Sequence, residues 1–290
     1  MRNLASCGIL QVFYGPSAFR KIVLEPGNVR CVGRGHRADV VLAQDKGLAG
    51  RHFEVAWNGR AARVRDLGSP SGIALGGQPA RSGELRHRGW MSAGGSTFRF
   101  FVEGFTPAPE PVAASPQQDG VLAELAAPCE RGELYAVLDA ARAERILQLA
   151  EEAVDDHASL YEGAPGRALD DVAPYLVHFL PGSGLLGRLV REGWGRAWGI
   201  YLASAASPKL VRRHLRRFLI VEAEPQRERL YFRFYDPRVL CRFAALCTVR
   251  QKSELVAGLD AVWFEDESGK LCRLIREGAT DSGRMNVSHP

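Results

Sequence analysis

Apolar and polar residues alternate, or gather into short apolar blocks, in five runs of the first hundred positions: 9–14, 29–32, 53–57, 62–67 and 96–102. Gly-rich turns separate the runs. A period of two over so few residues marks half-buried strands, and their number predicts an all-β sandwich over 1–105. The pattern then breaks. Pro107, Pro109, Pro111 and Pro116 stand among polar residues and Ala, so 106–130 reads as an extended Pro/Ala-rich linker. Beyond it two periods take turns. Strand-like runs at 134–138, 175–180 and 197–202 alternate with helical ones at 140–153, 183–192, 208–217 and 239–247. Ser207-Pro208 and Asp236-Pro237 are N-cap and N1 pairs. This half, 131–277, predicts an α/β domain with a mixed sheet and helices, followed by a polar tail, 278–290, expected to be disordered.

Composition adds exclusions. With 46% hydrophobic and 24% charged residues the chain is globular rather than disordered. No apolar run approaches the roughly 18 residues of a membrane span, so no membrane partner is expected. The first residues lack the apolar core of an export signal, and the six cysteines form no CxxC pair, which together fit a reduced cytoplasmic setting. The net charge of +5 is uneven: 1–105 carries fifteen Lys and Arg against seven Asp and Glu, and the remainder has an acidic excess. That split favours two separate units. The basic excess is not interleaved with stacking aromatics, so nucleic acid is not expected as a partner.

GxxxxGK[ST], GxSxG and HExxH are all missing from the sequence, and no catalytic residue, cofactor or metal is assigned. The GxGxxG of Gly182, Gly184 and Gly187 reads as a turn and helix start, because the next strand ends without the acid that takes a ribose hydroxyl. Cys241 and Cys247, and His178 and His214, read as structural. Asp139, Glu162 and Asp236 stand at strand ends, where carboxylates serve hydrolases or transferases; for Asp236 the N-cap role already accounts for the residue.

Gly33-Arg34, Asp39-Val-Val-Leu42, Arg51-His52, Asp66-Leu-Gly-Ser69 and Gly72 together resemble the forkhead-associated (FHA) pattern over 1–105. The resemblance implies a sandwich whose loops hold a phosphothreonine, with Arg34 binding the phosphate and His52 bracing a loop. Ser69 and Ser71 belong to the same loops. The chain departs from the family where the chemistry sits. Ala49 stands for the phosphate-contacting Ser, Ser71 for the peptide-holding Asn, and Ile73 for the following Thr. A lost charge-assisted hydrogen bond costs about 1.5–3 kcal/mol, roughly ten- to a hundredfold in affinity. Phosphopeptide binding is therefore expected to be weak or absent, with Arg51 in partial compensation and the sandwich kept as a docking surface.

Six blocks farther on resemble the type VI secretion effector-adaptor family (Tap or TEC) over about 132–268: 134–142, 172–177, 181–186, 193–200, 210–218 and 231–240. The resemblance implies a non-enzymatic cytoplasmic adaptor or chaperone that holds a toxic effector and loads it onto a VgrG spike protein. The residues themselves supply two candidate partner surfaces. Lys209, Arg212, Arg213, Arg216 and Arg217 form a basic helix face that would receive an acidic partner segment. The acidic positions Glu151, Glu152, Asp155, Asp156, Glu162, Asp170 and Asp171 offer an internal alternative for it. Trp194 and Arg196 sit in a Gly-Trp-Gly-Arg turn, where large side chains are presented on permissive backbone. A phosphothreonine-dependent signalling or scaffold module is the other reading, distinguished by phosphate-dependent binding.

Overall fold

The computed structural model describes residues 6–109, 115–162, 169–223 and 228–275, so the tail at 278–290 lies outside the described residues. The chain divides into two compact units, residues 1–107 with 151–156, and 108–150 with 157–290.

Unit 1 is a two-sheet sandwich. Its strands are β1 (Gly8–Tyr14), β2 (Lys21–Leu24), β3 (Val29–Gly33), β4 (Val40–Val41), β5 (Phe53–Trp57), β6 (Ala62–Asp66), β7 (Ile73–Leu75), β8 (Gln78–Ala80), β9 (Ser82–Leu85), β10 (Trp90–Ala93) and β11 (Ser96–Val102). One sheet runs β2-β1-β11-β10-β7-β8, the other β4-β3-β5-β6-β9. The period-two pattern explains the packing: Phe53, Val55 and Trp57 of β5 all turn inward and are fully buried. They meet β11 of the other sheet, Phe53 edge-on to Phe98 at 5.3 Å and Trp57 against Phe100 at 5.3 Å between ring centres. The segment 151–156 completes this unit. Lys21 Nζ donates to the carbonyls of Ala153 (2.5 Å) and Asp155 (2.7 Å), and Glu152 accepts from the Thr106 amide and hydroxyl.

Unit 2 mixes strands and helices: α1 (Pro116–Glu130), β12 (Leu134–Asp139), α2 (Glu144–Glu151), β13 (Asp156–Ser159), β14 (Pro174–His178), α3 (Gly184–Gly193), β15 (Gly199–Ala203), α4 (Pro208–Arg216), β16 (Ile220–Ala223), β17 (Glu228–Tyr231), α5 (Pro237–Leu246), α6 (Val249–Leu255), β18 (Ala261–Glu265) and β19 (Leu271–Ile275). The main sheet is ordered β13-β14-β12-β15-β18-β19, and the pairs from β14 through β12, β15 and β18 to β19 are antiparallel. β16 and β17 form a separate two-stranded ribbon. The central strand β12 is buried at every position, with helices packed around the sheet.

The 106–130 stretch departs from the extended linker its prolines suggest. Pro116 is the first residue of α1 rather than a spacer; Ser115 caps the helix by accepting from the Gln118 amide at 3.2 Å. Val121, Leu125 and Cys129, spaced four apart, form the buried stripe of this helix. It packs on α3 and β12, and Asp119 pairs with Arg191 at 3.0 Å.

Leu125 is fully buried. Replacing it with Ala is expected to cost about 2–5 kcal/mol in chemical denaturation of the full chain, the usual cost of a core cavity. A change near zero would return the segment to the status of a linker.

Candidate protein-interaction sites

The loop end of the sandwich is held by His52, which is fully buried at the start of the β5 region. Its Nδ1 accepts from the Ala49 amide at 3.0 Å, which leaves the ring proton on Nε2 to meet the Gly72 carbonyl at 2.9 Å and Ser69 Oγ at 3.0 Å. Ser69 Oγ in turn donates to Asp66 at 2.5 Å and accepts from the Gly72 amide at 3.0 Å. One imidazole thus ties the 49–52 loop to the 66–72 loop, the bracing role implied by the resemblance. The loop after β3 lies backbone to backbone with 49–50, through Arg34 N–H to the Ala49 carbonyl (2.9 Å) and Gly35 N–H to the Gly50 carbonyl (3.0 Å). Only glycine fits at 33, because a Cβ there would collide with the Gly50 carbonyl oxygen.

On this frame the Arg34 side chain is exposed and makes no ion pair or hydrogen bond with another described residue. Ser71 Oγ points back to the Gly47 carbonyl at 3.3 Å. Arg51 is engaged with Cys31 Sγ (3.4 Å) and Glu54 (3.8 Å). Ala49 supplies backbone groups alone. The frame is therefore complete, and position 49 carries no side-chain hydroxyl. Sequence reading misses Asp45, which is buried and accepts from the Gly47 and Gly95 amides and from Ser96 Oγ at 2.5 Å. Its partners lie up to 51 residues away, so no local pattern announces it.

In unit 2 the turn after α3 carries Trp194 and Arg196. Gly195 has φ of +86° and Ala197 +54°, an uncommon value for a residue with a side chain. The turn is held by Glu265 at the end of β18, whose buried carboxylate accepts from the Gly195 and Ala197 amides. Burial pushes this carboxyl up, and the two amides oppose the shift. Trp194 is half-buried, donates to the Gly269 carbonyl at 2.7 Å and lines a cleft of about 320 Å³ with Gln117, Arg238 and Glu265. Arg196 is exposed and does not line this cleft.

The basic face of α4 is partly consumed inside the unit. Arg212 donates to the carbonyls of Ser159 (2.7 Å) and Tyr161 (3.1 Å) and to Glu162 (2.8 Å); Arg216 donates to the Leu160 carbonyl (2.8 Å) and pairs with Glu162 at 2.5 Å. These two are therefore not open to a partner as the spacing alone suggests. Of the acidic positions weighed against the helix, Glu162 meets it, whereas Glu151 and Glu152 face Arg99 and His87 in unit 1. Lys209, Arg213 and Arg217 stay exposed.

Of the three carboxylates expected at strand ends, Asp139 alone ends a strand (β12), while Glu162 lies past β13 and Asp236 caps a helix; Asp139 and Asp236 are engaged as Glu162 is. Asp139, fully buried, pairs with Arg233. Asp236 caps α5 through the Arg238 amide (3.1 Å) and holds the Arg238 guanidinium at 2.6 Å. Gly182, Gly184 and Gly187 form a turn and helix start, where Ser183 Oγ accepts from the Leu185 amide at 3.1 Å. His178 and His214 each bond a backbone carbonyl at 2.8 Å. Among the described residues no group of three or more His, Cys, Asp or Glu is placed to hold a metal ion, and no helix is long and apolar enough to cross a membrane.

Residues 30–89 match the family model of the FHA domain, and residues 134–254 match that of a domain of unknown function, DUF4123. The chain thus joins an FHA domain to a DUF4123 domain. No curated protein matches it. Among solved structures, an FHA domain studied for phosphothreonine-dependent interactions is 27% identical, with 35% of this chain and 99% of that one covered and a TM-score of 0.30. The FHA domain of the CT664 protein from Chlamydia trachomatis is 22% identical, covering 33% and 97%, with a TM-score of 0.31. An FHA domain from Mycobacterium tuberculosis is 22% identical, covering 33% and 96%, with a TM-score of 0.29.

Restoring the hydroxyl should restore affinity. The Ala49→Ser variant of the full chain is expected to bind a phosphothreonine peptide about tenfold more tightly than the parent chain by fluorescence anisotropy, the worth of roughly one charge-assisted bond. Equal, tight, Arg34-dependent binding by both would show that the missing hydroxyl does not matter. In unit 2, Arg212→Ala is expected to destabilise by about 1–3 kcal/mol because backbone carbonyls lose their donor, and Glu162→Gln by under about 1 kcal/mol, since that pair is half exposed. The hydrogen bond from Arg212, with the Arg216 charge, holds the Glu162 carboxyl below the usual carboxylate range. Its small contribution is therefore present at neutral pH and is lost as pH falls through that lowered value. Denaturation midpoints of the two variants in the opposite order would refute this assignment.

Proposed function

We propose that the chain is a non-enzymatic cytoplasmic adaptor that binds a type VI secretion effector and loads it onto a VgrG spike protein by protein contacts alone. The observation that carries this reading is the disposition of charge in unit 2. The three carboxylates weighed for hydrolytic or transfer chemistry, Asp139, Glu162 and Asp236, each serve as counter-ion to an arginine. The cations Lys209, Arg213 and Arg217 and the apolar Leu210, Ile220 and Tyr231 meanwhile remain exposed. Groups that do chemistry are engaged internally; groups that make contacts are presented outward.

The FHA domain supports the same reading as a second contact. FHA domains are interaction modules, and this one has a braced loop frame with Ala where a phosphate-binding hydroxyl belongs. Tethered to the first contact, even a weak second one raises effective concentration. Phosphopeptide recognition is thus not the primary event.

Tagged full chain isolated from its native cells is expected to retain a VgrG-type spike protein or a toxin, identified by mass spectrometry, with recovery unchanged by phosphatase treatment. Recovery of a kinase substrate in their place, lost on phosphatase treatment, would replace this reading with a phosphothreonine-dependent scaffold.

A further inference from the structure

The exposed row on α4 does not end with the helix. Lys209, Arg213 and Arg217 follow one another at four-residue intervals, about 6 Å apart along the axis. None of the three meets a carboxylate among the described residues; Arg217 touches only the His214 ring nitrogen at 3.4 Å and the Phe218 ring at 5.8 Å. Arg212 and Arg216, turned inward, bring the cations of this segment to five, against which Glu162 is the only carboxylate paired among the described residues.

Apolar groups lie beside this row and beyond its C-terminal end. Leu210, one turn before Arg213, is 45% exposed. From Arg217 the chain passes through Phe218 and Leu219 into the β16–β17 ribbon, where Ile220 and Tyr231 stand directly opposite each other, 51% and 46% exposed. The Tyr231 hydroxyl bonds that of Tyr161 at 2.6 Å, and the Tyr161 carbonyl is held by Arg212 at 3.1 Å. These bonds tie the ribbon to the Arg212 flank of the helix, beside the exposed row. Farther out on the ribbon lie Glu222, Arg229 and Glu228, so the positive field is confined to the helix and the ribbon base.

We propose that this α4–ribbon surface is the docking face for an acidic amphipathic helix of a partner protein. Carboxylates at four-residue spacing match Lys209, Arg213 and Arg217, and the apolar side of the same helix rests on Leu210, Ile220 and Tyr231. Charge complementarity selects the occupant. Glu222 and Glu228 outnumber Arg229 on the outer ribbon, which disfavours an acidic surface extending past the ribbon base, an anionic bilayer included. The inference rests on the adaptor reading for the existence of a partner protein, but the face is testable without knowing that partner.

The probe is a fluorescent acidic amphipathic peptide of roughly 20 residues, with Leu and Glu at helical spacing, titrated against the full chain by anisotropy. Saturable binding is expected, weakened at least about tenfold by K209E/R213E/R217E and again by I220S/L210S. The milder K209Q/R213Q/R217Q should weaken it in the same direction, and circular dichroism checks that each variant is folded. No binding by the parent chain, equal binding by the folded charge variants, equal binding of a scrambled peptide, or preference for phosphatidylglycerol vesicles would each overturn the proposal. Peptide binding by this face without recovery of a spike or toxin from cells would instead sink the adaptor reading and leave the docking face standing.

Discussion

Two guanidinium groups on α4 decide what unit 2 can offer to another protein. Arg212 and Arg216 between them take the carbonyls of Ser159, Leu160 and Tyr161 and share Glu162. Those carbonyls lie at the last residue of β13 and the two that follow it, and they need donors where the ladder ends. Arginine suits the task, because its fork serves two acceptors at once and keeps its charge. The cost is that two of the five cations cease to be available. What remains is a single row, Lys209, Arg213 and Arg217, whose direction is set by a helix anchored from its other side by buried Val211 and Leu215.

Unit 1 shows the same separation between frame and contact. His52, Ser69, Asp66 and Asp45 hold the loops through short bonds to backbone amides and carbonyls. None of these bonds requires a ligand. The frame can thus persist whatever side chains the loops present, and here those include Ala49 and Ser71. A sandwich braced in this way keeps a defined loop surface without help from any bound group.

Much of this organisation is legible in the chain because it is written locally. Alternation at 53–57 and 96–102 gives the strands, and the Ser207-Pro208 and Asp236-Pro237 pairs give helix starts, each depending on residues within a few positions. The α1 helix is the instructive failure. Pro116 and its Ala-rich neighbours look like a spacer, yet Pro at N1 behind Ser115 is a helix start, and the Val121, Leu125, Cys129 stripe is sparse enough to pass unnoticed. Non-local bonds are a different matter. Glu265 holds a turn some 70 residues away, and Arg212 reaches back across 53 residues to Ser159. A basic run on a helix can be read from sequence; which of its members are already occupied cannot, because occupancy is set by tertiary contact.

Hydrogen–deuterium exchange of the full chain with and without its co-purified partner decides whether the proposed α4–ribbon surface is where a partner binds. The account predicts that bound partner slows exchange across 208–223 and 228–231, with smaller effects in the loops around 34, 49–52 and 66–72. Protection confined to those loops, with the α4–ribbon surface exchanging as in the free chain, would contradict it.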